Sequence, residues 1–197
     1  MSAVAAAPSG RGAPKEMTGP LLGMVLFVAS EAMFFAAFFG AYFTIRASQP
    51  LWPPKGVPHL KIEIAAVLTV ILVSSSVVLQ VAVRAMRTAG PRRANILLAV
   101  TIAMGVAFLA LQLYDYSKLG FGVKDGVFGT LFYVMTGIHM AHVFGGAVFL
   151  GVVFSQSASG MLTKGHHESL EAATLYWHFV DVVWICLFTV FYLLTPR

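Results

Sequence analysis

Charged residues in this chain fall in short clusters, and between the clusters it is almost continuously apolar. From Glu16 to Arg46 the only charge is Glu31. Glu63 to Arg84, Arg93 to Asp115 and Asp125 to Lys164 enclose no Asp, Glu, Lys or Arg. Between Glu171 and Arg197 only Asp181 interrupts. At a rise of ~1.5 Å per residue, about 20 apolar residues cross ~30 Å of hydrocarbon. Each of these runs is long enough. Open strands would leave backbone groups unpaired in lipid, and the strict alternation of a membrane barrel strand is missing. The pattern therefore predicts an all-α membrane protein, a bundle of five transmembrane helices at about 18–45, 62–86, 94–116, 127–156 and 171–194. Short connections make sequence neighbours antiparallel neighbours in space. One domain, 17–197, follows a disordered tail over 1–16, rich in Ala, Gly, Ser and Pro and without the basic-then-apolar form of a cleavable signal.

Composition sharpens this picture. Only 11% of the 197 residues are charged and 58% are hydrophobic, against about 25% charged in an ordinary soluble domain. The net charge is +5, which in a soluble chain would suggest nucleic acid. Here the bases sit in loops between apolar runs, so they read as topology signals and no nucleic-acid partner is expected. The cluster Arg84, Arg87, Arg92 and Arg93 contains no acid and places its loop, and with it the N-terminus, in the cytoplasm by the positive-inside rule. The single cysteine, Cys186, permits neither an intrachain disulfide nor a thiolate cluster.

Few polar residues interrupt the spans, and these are the candidate site. Glu31 lies mid-span, with Phe27, Phe34, Phe35 and Phe38 on its face. Those surroundings favour a neutral or strongly hydrogen-bonded acid, used either for proton handling or as a polar tether. A donor bond from Glu31 is expected to reach a neighbouring helix, at His139, His142 or Ser74–Ser76. His139 and His142 are spaced i, i+3 on the fourth run, and His178 and Asp181 are spaced likewise on the fifth. These four read as an inter-helix hydrogen-bond network that joins the last two helices to each other or to a partner. A di-iron site needs several glutamates in paired Glu-x-x-His motifs, and a haem needs facing axial ligands, so no catalytic, cofactor or metal site is expected in this chain. Small-residue stripes, Ala32–Ala36–Gly40 in the first run and Gly137–Ala141–Gly145 in the fourth, suggest close helix packing, with the first stripe offered to another subunit. Trp52, Trp177 and Trp184 read as lipid-contacting, interfacial or packing aromatics. No phosphate-loop, zincin, hydrolase or CxxC motif is present.

The polar positions carry a resemblance. Ser30-Glu31-Ala32-Met33-Phe34-Phe35, Trp52-Pro53-Pro54 with Gly56, Asp125-Gly126-Val127-Phe128-Gly129 and Thr136-Gly137-Ile138-His139-Met140-Ala141-His142-Val143 resemble, in order, motifs of cytochrome c oxidase subunit III. So do His166-His167 with Glu171-Ala172-Ala173, and Tyr176-Trp177-His178-Phe179-Val180-Asp181-Val182-Val183-Trp184. The likeness covers about 17–195. It implies a non-catalytic membrane subunit that packs beside subunits I and II, binds phospholipid and supports proton uptake. Haem and copper would reside in the partner catalytic subunits, and cytochrome c or quinol would meet the complex only through them. Longer members have seven helices, so this chain resembles a short, five-helix bacterial form of the plasma membrane. Five-helix forms also occur in ubiquinol oxidases and in complexes linked to nitric oxide reduction. The Trp-Pro-Pro loop and Glu31 favour the cytochrome c enzyme. A proton-coupled transporter is the rival of a different class, but it would show repeats or broken helices, and no proline lies inside a run beyond Pro20.

Overall fold

The computed structural model describes residues 19–54, 60–162 and 167–195; the expected N-terminal tail lies outside them. Five helices are long and apolar enough to cross a membrane. They are α1 (Gly19–Ser48), α2 (Ile62–Thr88), α3 (Pro91–Tyr116), α4 (Val127–Ala158) and α5 (Glu168–Phe188), and α5 continues as a π-helical turn over Thr189–Leu193. No strand occurs among the described residues.

The ends differ from expectation where local chemistry outweighs charge. α3 starts at Pro91, not at 94. Gly90 adopts φ +97° and Pro91 supplies the preset φ of a first helical residue, so Arg92 and Arg93 fall inside the helix. At the start of α4, Gly126 has φ +99° and turns the chain into the helix. The π-helical end of α5 leaves no mark in the hydrophobic pattern.

Packing corrects the expected order of neighbours. α2, α3 and α4 follow one another as neighbours, but α1 lies against α5 and not against α2. α5 also touches α2 and α4, and is the axis of the bundle. Its Trp177 and Trp184 are fully buried, in a core that includes Phe108, Phe128, Phe132 and Phe191. Phe108 meets the Trp184 ring edge-on at 4.9 Å between centroids. Because lipid is as apolar as a leucine side chain, such contacts stabilise through close fit and not through escape from water. The outer faces are apolar as well: Leu26, Met33, Val70 and Phe144 all point outward.

Close approach occurs at glycines other than those of the two stripes. A Cβ on Gly105 would sit 2.7 Å from the Trp177 ring, and one on Gly146 would sit 3.0 Å from both Trp177 and Tyr176. By contrast, a Cβ on Gly40 or Gly137 would meet nothing within 4 Å. In the α4 stripe only Gly145 meets α5, in ordinary contact at 3.7 Å from the Tyr176 hydroxyl, and the closer approach to α5 falls one residue on, at Gly146.

Candidate functional site

Two polar clusters lie inside the bundle. The first joins α1 to α4. Glu31 Oε2 lies 2.9 Å from His142 Nε2, and His142 Nδ1 lies 2.8 Å from the carbonyl of Ile138 one turn earlier. A carbonyl only accepts, so Nδ1 carries a hydrogen. The Glu31–His142 bond then needs one proton of its own. A neutral carboxyl donates to Nε2, or an imidazolium donates to a carboxylate. Either way the pair is neutral as a unit, which suits a site walled by Phe35, whose ring centroid is 5.0 Å from the imidazole, and by Phe34. Tyr176 of α5 closes the cluster, donating to the His142 carbonyl at 3.1 Å. Of the partners expected for Glu31, His142 is the one it meets.

His139, three residues earlier, goes elsewhere. It is fully buried, with its ring stacked on Trp184 at 5.3 Å and Phe108 edge-on at 5.9 Å. Neither ring nitrogen has a hydrogen-bond partner. The i, i+3 spacing therefore puts the two histidines in different surroundings, not in one site. Among the described residues no three His, Cys, Asp or Glu side chains converge as a metal site would require.

The second cluster joins α5 to α2, where the sequence suggested α4. Ser76 of α2 donates to Asp181 Oδ2 and sits 2.7 Å from His178 Nδ1. His178 Nε2 is 3.3 Å from Gln80 Oε1. Ser75 and Thr69, on the same helix, accept from the indoles of Trp177 (2.9 Å) and Trp184 (3.0 Å). These serines serve α5 and not Glu31. Nearer the start of α5, Arg87 donates to Glu171 at 2.5 Å and to His167 at 3.2 Å.

Of the roles expected of Trp177 and Trp184, lipid contact is corrected and packing is met. Trp177 and Trp184 face the interior, and Trp52 is buried beside Phe128 while donating to the Tyr42 hydroxyl at 3.0 Å. Ala32, Ala36 and Gly40 remain exposed on α1. Sequence reasoning passed over Tyr42, Gln80, Tyr176 and the glycines under Trp177. Of these, Gln80 alone carried a signal, as a lone amide within a charge-free run.

Comparison with known proteins agrees with the resemblance. The family model described as cytochrome c oxidase subunit III matches residues 3–195. A "Cytochrome c oxidase subunit 3" from Synechocystis is 42% identical, covering 88% of this chain and 75% of the relative. The protein of the same name from Thermostichus vulcanus is 39% identical over 89% of this chain and 87% of its own length. That of Dugong dugon is 36% identical over 93% and 72%.

Proposed function

Because the chain belongs to the cytochrome c oxidase subunit III family, and so is a multi-pass membrane subunit of an oxidase complex, we propose that it serves that complex without catalysing its redox chemistry. In this reading it stabilises the catalytic subunit, binds phospholipid and supports proton uptake. Subunits I and II are its partners, and haem and copper reside in them and not here. Cytochrome c delivers electrons through those subunits. The chain sits in a bacterial plasma membrane with its N-terminus cytoplasmic, as the Arg84–Arg93 cluster favours.

The observation that carries this reading is the Glu31–His142 pair. It offers a membrane-embedded site that holds one proton, and it ties the outermost helix to the bundle. An ion pair at this depth would have to offset the desolvation of two charges, which favours the form in which Glu31 donates and His142 accepts. Glu31→Gln keeps size and a donor. The complex should assemble, and turnover should become slower or less durable if the pair supports proton uptake. Infrared difference spectra of wild type against Glu31→Gln test the protonation directly. Loss of a protonated carboxyl band is expected; loss of a carboxylate band would overturn the neutral assignment.

A further inference from the structure

α3 and α5 are alternate spans, so they run in the same direction, and large side chains fill the space between them. At one level the Trp177 ring of α5 lies over Gly105, and at the next Trp184 meets Phe108. Both indole N–H groups have acceptors, on Ser75 and Thr69, so these two layers are complete without water. The third layer, near the end of both helices, is built differently. α3 supplies Gln112, 0% exposed, and Asp115, 3% exposed; α5 supplies Tyr192, 7% exposed. Gln112 and Asp115 continue the face of Phe108, four and seven residues on. Asp115 lies within electrostatic reach of the Tyr192 hydroxyl and of Lys61, just before α2. Tyr192 comes from the π-helical turn, in which the Leu194 amide bonds back five residues to the Thr189 carbonyl, and Val190, Phe191 and Tyr192 are buried in succession. Both amide atoms of Gln112, Asp115 Oδ2 and the Tyr192 hydroxyl are buried without a hydrogen-bond partner in the chain.

We propose that this layer is a binding site for ordered water, which bridges α3 to the π-helical end of α5. It is distinct from the Glu31–His142 pair and does not rest on that pair's role. The donor set selects the ligand. Gln112 Nε2 and the Tyr192 hydroxyl offer hydrogens, whereas Gln112 Oε1 and Asp115 Oδ2 accept them. One water can donate to both oxygens and accept from either donor, which supplies the two to four bonds that hold a buried water. A bare cation would face the amide hydrogens, and an apolar occupant would leave all four atoms unpaired. Gln112 stands four residues before Tyr116, the last residue of α3, which is ~6 Å along the axis. Water therefore enters from the membrane interface and crosses no hydrocarbon.

Hydroxyl-radical footprinting of the intact oxidase in detergent tests the site. An X-ray pulse splits water where it stands, bound water included, and oxidises the side chains beside it; peptide mass spectrometry reads the rate at each residue. Tyr42 is the internal control. It is fully buried, it contacts the same π-helical turn, and its hydroxyl already bonds Trp52 and the Val190 carbonyl. Tyr192 should be oxidised at least about tenfold faster than Tyr42, because ordered water stands against its hydroxyl. Gln112→Met keeps the length of the side chain and removes its hydrogen bonds, so Tyr192 oxidation should fall to the level of Tyr42. If Gln112→Met fails to assemble, Asp115→Leu carries the same comparison. Equal rates at Tyr192 and Tyr42 in the wild type overturn the site. So does a fast rate at Tyr192 that persists in the variant, which marks surface exposure and not bound water.

Discussion

α1 and α5 are both apolar enough to span the membrane, yet within this chain they live in opposite surroundings. Over its most apolar stretch α5 is 56% buried and α1 only 6%. α5 is held on several sides by tryptophans that fill space against glycines. α1 is held along one edge by discrete links: Glu31 to His142, Tyr42 to the Val190 carbonyl at 3.4 Å, and Arg46 to the Leu194 carbonyl at 3.0 Å. The last two reach the π-helical end of α5. An element held by shape should fail when its volume changes. One held by a few polar links should loosen when a link is cut, and it leaves its free face for another surface.

The contrast breaks most readily at α5. Trp177→Ala leaves a cavity beneath Gly105 and Gly146 and strips Ser75 of its donor, at a cost of about 3–5 kcal/mol. Little folded subunit should then accumulate in membranes, as quantitative immunodetection would show. Gly105→Leu forces a side chain into the Trp177 ring and should cost about 1–3 kcal/mol, read as a lower unfolding temperature in detergent. Cutting the polar link is milder. A double-mutant cycle of Glu31→Ala and His142→Ala should give a coupling near 0.6 kcal/mol and no more than about 1.7 kcal/mol, measured by reversible denaturation in mixed micelles. A coupling above that range would make α1 as firmly embedded as α5. Smallest of all is the effect of Ala36→Leu with Gly40→Leu on the chain alone: these positions face outward, and its unfolding should shift by less than about 0.5 kcal/mol.

Five spans were legible because charge is expensive in hydrocarbon, so gaps in charge mark them directly. The neighbours were not. An i, i+3 spacing shows that His178 and Asp181 share a face, but not that the face meets Ser76 of α2. His139 and His142 show the limit of the rule: a few tens of degrees of rotation about α4 separate an aromatic cage from a proton-sharing pair. Small-residue stripes failed in the same way. Glycine is frequent in membrane helices, so Gly137 and Gly145 look as eligible as Gly146. Only the position of the Trp177 ring distinguishes them. Chain order suggested that α1 would pack on α2, but nothing in the loop chemistry says which helix an outgoing segment will meet.

The exposed stripe of α1 tests the account most directly, because a docking face is what separates a subunit from a self-contained membrane protein. The measurement is haem recovered per tagged chain after purification in mild detergent, comparing wild type with the Ala36→Leu, Gly40→Leu double variant. The wild-type chain should carry haem from its catalytic partner in a fixed ratio. The double variant should lose most of it while keeping its helix content and its unfolding temperature. A variant that retains the full haem ratio, or a wild-type chain that brings no haem with it, would contradict the assignment of α1 as the docking helix.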